Sequence, residues 1–379
     1  MRSRVSMASL TSAVALGVAI FFTLYSLIPV TRGDEGNLSS LFLGTMMSCV
    51  MGVQVFTPAL VRRFSLRLII VASLVLVSVG ALITGTVSGT PLLLVGAIAS
   101  GMGFGVLIVA GAHGVALIVS PFRLGRALGA YGLVTMAASA LGSPAGLQIA
   151  LTFSSAVFGV CALIVGLLGA AFAFGIPGTV GKVTSKERTS GRKLDKATES
   201  IAGTPWLMLV VLLVAVVLLS HGLSSLPVLA TPYGSAATVV FAVQFGSALG
   251  RGIGGEMEAR IQARVTLIAG AILLTGGGTL GVLIAGGTAA ITAGALIGLG
   301  IGIVQAISLH TAMQRMDSGR ASVVWNLAVD GGLWTGGILW GLALTAGLVP
   351  ATTLVFCTLL LATTAAVLPQ LPGRSRRHV

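Results

Sequence analysis

Charge is scarce in this 379-residue chain, and acid is scarcer than base: 22 Lys and Arg, 9 Asp and Glu, 8% together. Ordinary soluble domains carry roughly 25% charged residues, and a globule of this length could not cover its surface with so few. A cytosolic enzyme, a secreted disulfide scaffold and a disordered chain are therefore excluded. Cysteine is almost missing. Cys49, Cys161 and Cys357 lie inside apolar runs with no CxxC spacing, so they read as small packing residues, and neither a disulfide nor a metal site is expected. Nucleotide and hydrolase signatures are missing too. Gly178-Thr-Val-Gly181-Lys182-Val183 has neither the P-loop spacing nor a Ser or Thr after the lysine, and there is no GxSxG elbow and no HExxH. Ser224 and Ser225 beside His221 come nearest to a nucleophile with a base, without an acidic partner. No enzyme, catalytic residue or bound cofactor is expected.

What is present is apolar: 55% of the residues are hydrophobic, with a mean hydropathy of +1.05. The net charge of +13 forms no basic stripe for nucleic acid. It sits in short clusters between long apolar runs, as in a polytopic membrane protein whose partner is the lipid bilayer. A crossing helix needs about 20 mostly apolar residues. Twelve such runs are predicted: 8–30, 38–60, 66–87, 92–119, 125–150, 153–175, 205–230, 235–257, 265–286, 290–313, 321–346 and 350–370. The first follows Arg2 and Arg4; it is too long for a signal-peptide core and has no clear small-residue cleavage site, so it reads as a span. With the N-terminus placed in the cytoplasm, nearly every cation falls inside, and the opposite loops hold Arg32 with Asp34 and Glu35. Arg251, near the inner end of the eighth run, is the other exception. That asymmetry requires an even number of spans between clusters, hence twelve spans with both termini cytoplasmic, in the inner or plasma membrane.

One long hydrophilic stretch, about 176–203, divides the chain into 1–175 and 204–379. Equal halves invite a search for a repeat, and one emerges at an offset near 197. Pro58-Ala-Leu-Val-Arg62-Arg63-Phe-Ser-Leu-Arg67 aligns with Gly255-Glu-Met-Glu-Ala-Arg260-Ile-Gln-Ala-Arg264. Gly125-Arg126-Ala127 aligns with Gly319-Arg320-Ala321, and Ser26-Leu-Ile-Pro29 with Ser224-Ser-Leu-Pro227. The expected fold is all-α: two pseudo-symmetric six-helix bundles joined by a cytoplasmic loop. Gly101-Met-Gly103-Phe-Gly105 and Gly298-Leu-Gly300-Ile-Gly302 fall in mid-span, where small residues let helices approach closely.

On these residues the chain resembles the major facilitator superfamily over essentially its whole length. That family has six plus six helices, a cytoplasmic central loop, and a basic turn of the form G-x-L-A-D-R-x-G-R-R after the second and eighth spans. The first copy keeps Leu60, Arg63 and Arg67, with Arg62 in place of the Asp; the second keeps Gly255, Arg260 and Arg264, with Ala259 there. Without that Asp, the cations are left to pair with helix C-termini or with Glu256 and Glu258. Arg62, Arg63, Arg67, Arg123, Arg126, Arg260, Arg264 and Arg320 are the gating-loop candidates the resemblance implies. Arg123-Leu-Gly-Arg126-Ala-Leu-Gly129 followed by Gly142-Ser-Pro144-Ala-Gly146 looks like the fifth helix of drug/proton antiporters in this superfamily, with Ser143 for the first Gly of G-P-x-x-G-G. Gly319–Gly332, including Trp325, Asn326 and Asp330, resembles the eleventh helix of its bacterial efflux permeases.

Ionisable groups inside spans mark candidate function. Asp330 lies ten residues beyond Arg320, about 15 Å along a helix, near the level at which such transporters hold substrate and coupling ion. A carboxyl group taken out of water readily holds a proton. Asn326, four residues earlier, shares its face; a purely structural Asp is the alternative. His113 and His310 correspond at offset 197 and can sense protons at an inner gate, or simply end helices that face water. Arg251 can bind an anion, pair with Asp330 or snorkel to headgroups. Gln305, Gln244, Gln54, Gln148, Ser308 and Tyr25 are cavity candidates or helix–helix hydrogen bonds. His221 is a candidate for an outer gate or cavity. Trp334 can stack on a substrate, whereas Trp340 is expected to anchor at the interface or face lipid. With no ATP site legible, a proton gradient is the expected energy source. The expected activity is proton-coupled export of small lipophilic molecules by a monomer, with a metabolite facilitator or importer as the alternative and an intramembrane enzyme a remote one. A sugar importer would need more polar and aromatic cavity side chains than this chain has.

Overall fold

The computed structural model describes residues 2–33, 35, 37–119, 124–178, 205–316 and 318–371. Every regular element among them is helical. In chain order they are α1 (Arg2–Arg32), α2 (Leu38–Gln54), α3 (Thr57–Arg63), α4 (Leu66–Thr86), α5 (Thr90–Ile118), α6 (Leu124–Thr152) and α7 (Ser155–Ala173), then α8 (Trp206–Leu223), α9 (Ser225–Ala230), α10 (Ala236–Arg260), α11 (Ala263–Leu283), α12 (Gly287–Arg315), α13 (Ser318–Thr345) and α14 (Val349–Val367). Eleven helical stretches among the described residues are long and apolar enough to cross a membrane, the sixth running from Trp206 to Tyr233 through α8 and α9. The remaining apolar helix, α2, has 17 residues, at the lower limit for a crossing.

Helix boundaries repeat along the chain. α4 and α11 are both 21 residues, α5 and α12 both 29, α7 and α14 both 19. The first two pairs start 197 residues apart and the third 194, as do α6 and α13. Contacts between helices repeat with them. A methyl group at Gly103 would stand 2.7 Å from the Ser73 carbonyl and the Val77 amide of α4; one at Gly300 would stand 2.7 Å from the Gly270 carbonyl and the Leu274 amide of α11. Gly101 and Gly105 press instead on the Met46 and Val50 carbonyls of α2, as Gly298 and Gly302 press on Val243 and Ser247 of α10. Alternate glycines thus serve two different neighbours. Gly142 and Gly146 of the antiporter-like motif set α6 against Ala19 and Thr23 of α1.

Two predicted spans are interrupted. The second stops at Gln54 and resumes as α3 after Val55 and Phe56, with Pro58 in the first turn. A proline offers no amide hydrogen to the carbonyl four residues back, here Gln54. The seventh breaks at Ser224 (φ −119°, ψ −63°), ahead of Pro227. There the Ser224 hydroxyl donates to the Ser220 carbonyl at 2.7 Å and the Ser225 hydroxyl to that of His221 at 3.4 Å.

By internal packing the chain falls into two units: Met1–Leu24 with Thr45–Gly203, and Tyr25–Gly44 with Thr204–Val379. Packing unit and sequence repeat are therefore different partitions. In the second unit, the segment from 25 to 44 meets α13 where that helix is smoothest, with Gly337 against Leu43 and Gly341 against Ser40.

Candidate functional site

Three helices of the second unit assemble a polar cluster among carbon side chains. Arg251 of α10 directs Nε and Nη2 onto Oε1 of Gln305 in α12, at 2.9 and 2.7 Å. Its guanidinium also lies 5.5 Å from the ring centre of Trp325 in α13, a cation–π distance. Trp325 donates its indole hydrogen to Ser308 Oγ at 3.0 Å, and Ser308 donates to the Gln305 carbonyl at 3.1 Å. Gln305, Ser308 and Trp325 are buried and Arg251 is half-buried. Arg251 is thus held between side chains of the two neighbouring helices α12 and α13.

The other face of α13 carries the carboxylate. Trp325, Ala328, Gly332, Gly336 and Trp340 are buried, whereas Asn326 and Trp334 are exposed and Asp330 is partly exposed between them. Four-residue steps line up Asn326, Asp330 and Trp334 along one stripe. That stripe and the Arg251 cluster thus share a helix.

Across residues 6–336 the sequence matches the family model described as Major Facilitator Superfamily. The chain belongs to that superfamily. Among curated proteins none matches it in sequence. Solved structures of superfamily transporters share its fold at low identity. A POT family transporter in complex with 5-aminolevulinic acid superposes with a TM-score of 0.76 at 11% identity, covering 96% of this chain and 95% of that one. A bacterial homologue of the human lysosomal transporter Spinster, described as inward-facing and unoccupied, gives 0.72 at 13% identity with 99% of each chain covered. The nucleoside transporter NupG gives 0.71 at 9% identity, covering 96% of this chain and 99% of that one. Family and fold point to a multi-pass transporter rather than an enzyme.

The superfamily's basic turns have partners on both sides of the repeat. Arg67 donates from Nε to the Ile176 carbonyl at 2.6 Å, beyond the end of α7. Its counterpart Arg264 donates from Nε and Nη2 to the Leu371 carbonyl beyond α14, at 3.0 and 2.8 Å. These are cations on the carbonyl end of a helix, which favours positive charge. Arg315 adds a second donor there, to Gln370 O at 2.6 Å. Arg260 pairs with Glu256 one turn away, while the exposed Arg63 lies over the ring of Phe64. The side chains of Arg62, Arg126 and Arg320, and Arg123 altogether, lie outside the described residues.

His113 and His310 are both exposed, each five residues before the end of its helix, and His310 Nε2 is 3.1 Å from Gln314 Nε2. Gln244 is buried, and its amide nitrogen has no hydrogen-bond partner; Gln54 is half-buried. Gln148, a further candidate, bonds Thr152 at 2.9 Å on an exposed surface.

A second buried polar group surrounds the break at Ser224. The Tyr25 hydroxyl lies 2.6 Å from Ser220 Oγ and donates to the Leu333 carbonyl at 2.7 Å. His221 Nδ1 is 2.6 Å from Ser225 Oγ, and its ring centre is 4.7 Å from that of Trp340. Trp340 corrects an expectation: instead of anchoring at an interface it is fully buried and donates to the Val217 carbonyl at 2.7 Å. An indole hydrogen buried in carbon needs an acceptor, and α8 supplies one. The His221–Ser225 pair has the spacing of a base with a nucleophile, but both are fully buried. Sequence reasoning did not single out Ser220; a lone hydroxyl beside His221 in an otherwise carbon-only run was the available sign.

Proposed function

We propose that this superfamily member exports small lipophilic compounds in exchange for protons, by alternating access, with Asp330 as the proton-carrying group. The observation that carries this reading is the stripe on α13. In a chain with 9 acidic residues, one carboxylate sits deep within a span and remains partly exposed, between Asn326 and Trp334 on the same face. An ionisable group is costly at such depth and is retained where it does work. Asn326 can hydrogen-bond the carboxylate or a substrate, and the indole of Trp334 can stack on a flat or cationic one. The scarcity of other polar groups along the spans suits a lipophilic substrate. Arg63, Arg67, Arg260 and Arg264 then stabilise the ends of the moving bundles, His113 and His310 line the cytoplasmic ends of the fourth and tenth spans, and both termini face the cytoplasm.

The test is transport by everted membrane vesicles under an imposed pH gradient, across a panel of lipophilic dyes and antibiotics. Substrate-induced proton release is expected from the parent and not from Asp330→Asn; release that persists unchanged in the variant overturns the coupling assignment. Direction is read separately. Expression should protect cells from a toxic substrate, whereas an importer sensitises them.

A second reading, a facilitator or importer of a small metabolite, is supported by the Arg251 cluster. A guanidinium fixed by Gln305 and stacked on Trp325 suits an anionic group better than a lipophilic one. Competition of transport by small carboxylates, lost in Gln305→Ala, would favour it.

A further inference from the structure

The first unit contains a groove that neither the transport reading nor the superfamily match assigns. It opens where α2 ends and α3 begins, encloses about 390 Å³, and is walled by Val53, Leu60, Phe64, Leu68, Met102 and Val106 from α2 through α5. Its walls are almost wholly carbon, with Ser73 as the polar exception. Phe64 and Leu68 are 41% and 53% exposed, so the groove is open along its rim.

Its charge is equally particular. Arg63 is exposed, with its guanidinium 5.8 Å from the ring centre of the groove residue Phe64. Its counterpart 197 residues on, Arg260, is neutralised by Glu256; the residue corresponding to Glu256 is Ala59, and Arg63 is left with an aromatic ring. Arg67 is occupied by the Ile176 carbonyl. A cation with no acidic partner among the described residues, at the lip of a carbon-lined slot next to the end of a span, is complementary to an anionic amphiphile.

We propose that this groove is a lipid site: it takes one acyl chain of an anionic bilayer phospholipid, whose phosphate is held by Arg63. Hydrocarbon gains little by leaving other lipid tails for a leucine-lined wall, because both are equally apolar. The groove therefore selects shape, and Arg63 selects charge. The site is tested by lipid retention, without transport.

The experiment is native mass spectrometry of the full chain in detergent, titrated with dioleoyl phosphatidylglycerol or with dioleoyl phosphatidylcholine. One phosphatidylglycerol is expected to be retained in preference to phosphatidylcholine by about five-fold, the effect of one basic residue at a membrane surface. Arg63→Gln should remove the preference while phosphatidylcholine retention stays unchanged, and Arg63→Lys should restore most of it. Ala72→Trp, which fills the groove from the exposed face of α4, should lower retention of both lipids; if it does not fold, Leu68→Trp at the rim serves the same purpose. Undiminished phosphatidylglycerol retention in a folded groove-filling variant, or a preference that survives Arg63→Gln, overturns the proposal.

Discussion

The two copies of the repeat differ most where their prolines act. In the first copy α1 runs unbroken from Arg2 to Arg32 through Pro29, and the next span is cut before Pro58. In the second copy the corresponding first span is cut at Ser224 ahead of Pro227, while α10 continues from Ala236 to Arg260 with Gly255 where the first copy has Pro58. Proline alone therefore does not decide. The Ser26 hydroxyl before Pro29 has no hydrogen-bond partner; the hydroxyls of Ser224 and Ser225 bond back to carbonyls four residues earlier, and Thr57 beside Pro58 does the same to Val53 at 3.0 Å. A missing donor opens the ladder, and a hydroxyl bonded back by one turn accompanies each break; the unbroken α1 has such a bond too, from Thr31 to the Leu27 carbonyl at 2.8 Å across Pro29. The cationic turns differ in the same manner: Arg260 is paired with an acid and Arg63 with a ring.

The shared feature should be the most fragile. Gly103→Leu and Gly300→Leu each drive a side chain into a neighbouring backbone, which cannot yield as a flexible side chain does. Overpacking costs about 1–3 kcal/mol and occasionally more, so both variants should lose most of their folded protein in thermal unfolding followed by size exclusion in detergent. Similar losses would uphold the equivalence of the halves; a tolerant partner in either half would break it. Next come the helix-end clamps. Arg67→Ala should cost about 1.5–3 kcal/mol, the range for a hydrogen bond to a charged group. Arg264→Ala should cost less, because Arg315 still holds the adjacent Gln370 carbonyl. Comparing their melting temperatures with that of the Arg264→Ala, Arg315→Ala double variant separates the two contributions. Trp340→Phe removes one buried donor from the Val217 carbonyl and should cost about 1 kcal/mol. A residue at a lipid interface would show almost none.

Those contacts also mark what was legible beforehand. The glycine alternation at 101, 103 and 105 could be read because the need for close approach leaves its mark in the residue type itself. The pairing of Arg67 and Arg264 with helix ends was legible as an option, since a cation in a family turn without its Asp needs some acceptor. Which carbonyl accepts was not: Ile176 and Leu371 lie more than a hundred residues away, and nothing local marks them. Trp340 was misread for a related reason. An indole near a helix end has the same sequence signature at an interface as in a core, and the acceptor that settles its place belongs to α8. The break at Ser224 was hidden because the run from 205 to 230 is uniformly apolar apart from His221 and the serines, and hydropathy is indifferent to a proline. Asp330 was conspicuous only because acid is so rare here.

The smallest effect is the one that isolates the proline. Pro58→Ala returns an amide donor to the turn without changing any other side chain, so its stability change should stay within about 1 kcal/mol. Its expected structural effect is larger than its energetic one. With a donor restored toward the Gln54 carbonyl, α2 and α3 should join as α10 is joined, and hydrogen exchange of the amides from 55 to 57 should slow. Unchanged exchange would show that the Thr57 hydroxyl bond to Val53 holds the interruption without the proline, and Thr57→Val in the same background would then join the helix. Either result states which of the two, missing donor or competing hydroxyl, holds the interruption between α2 and α3.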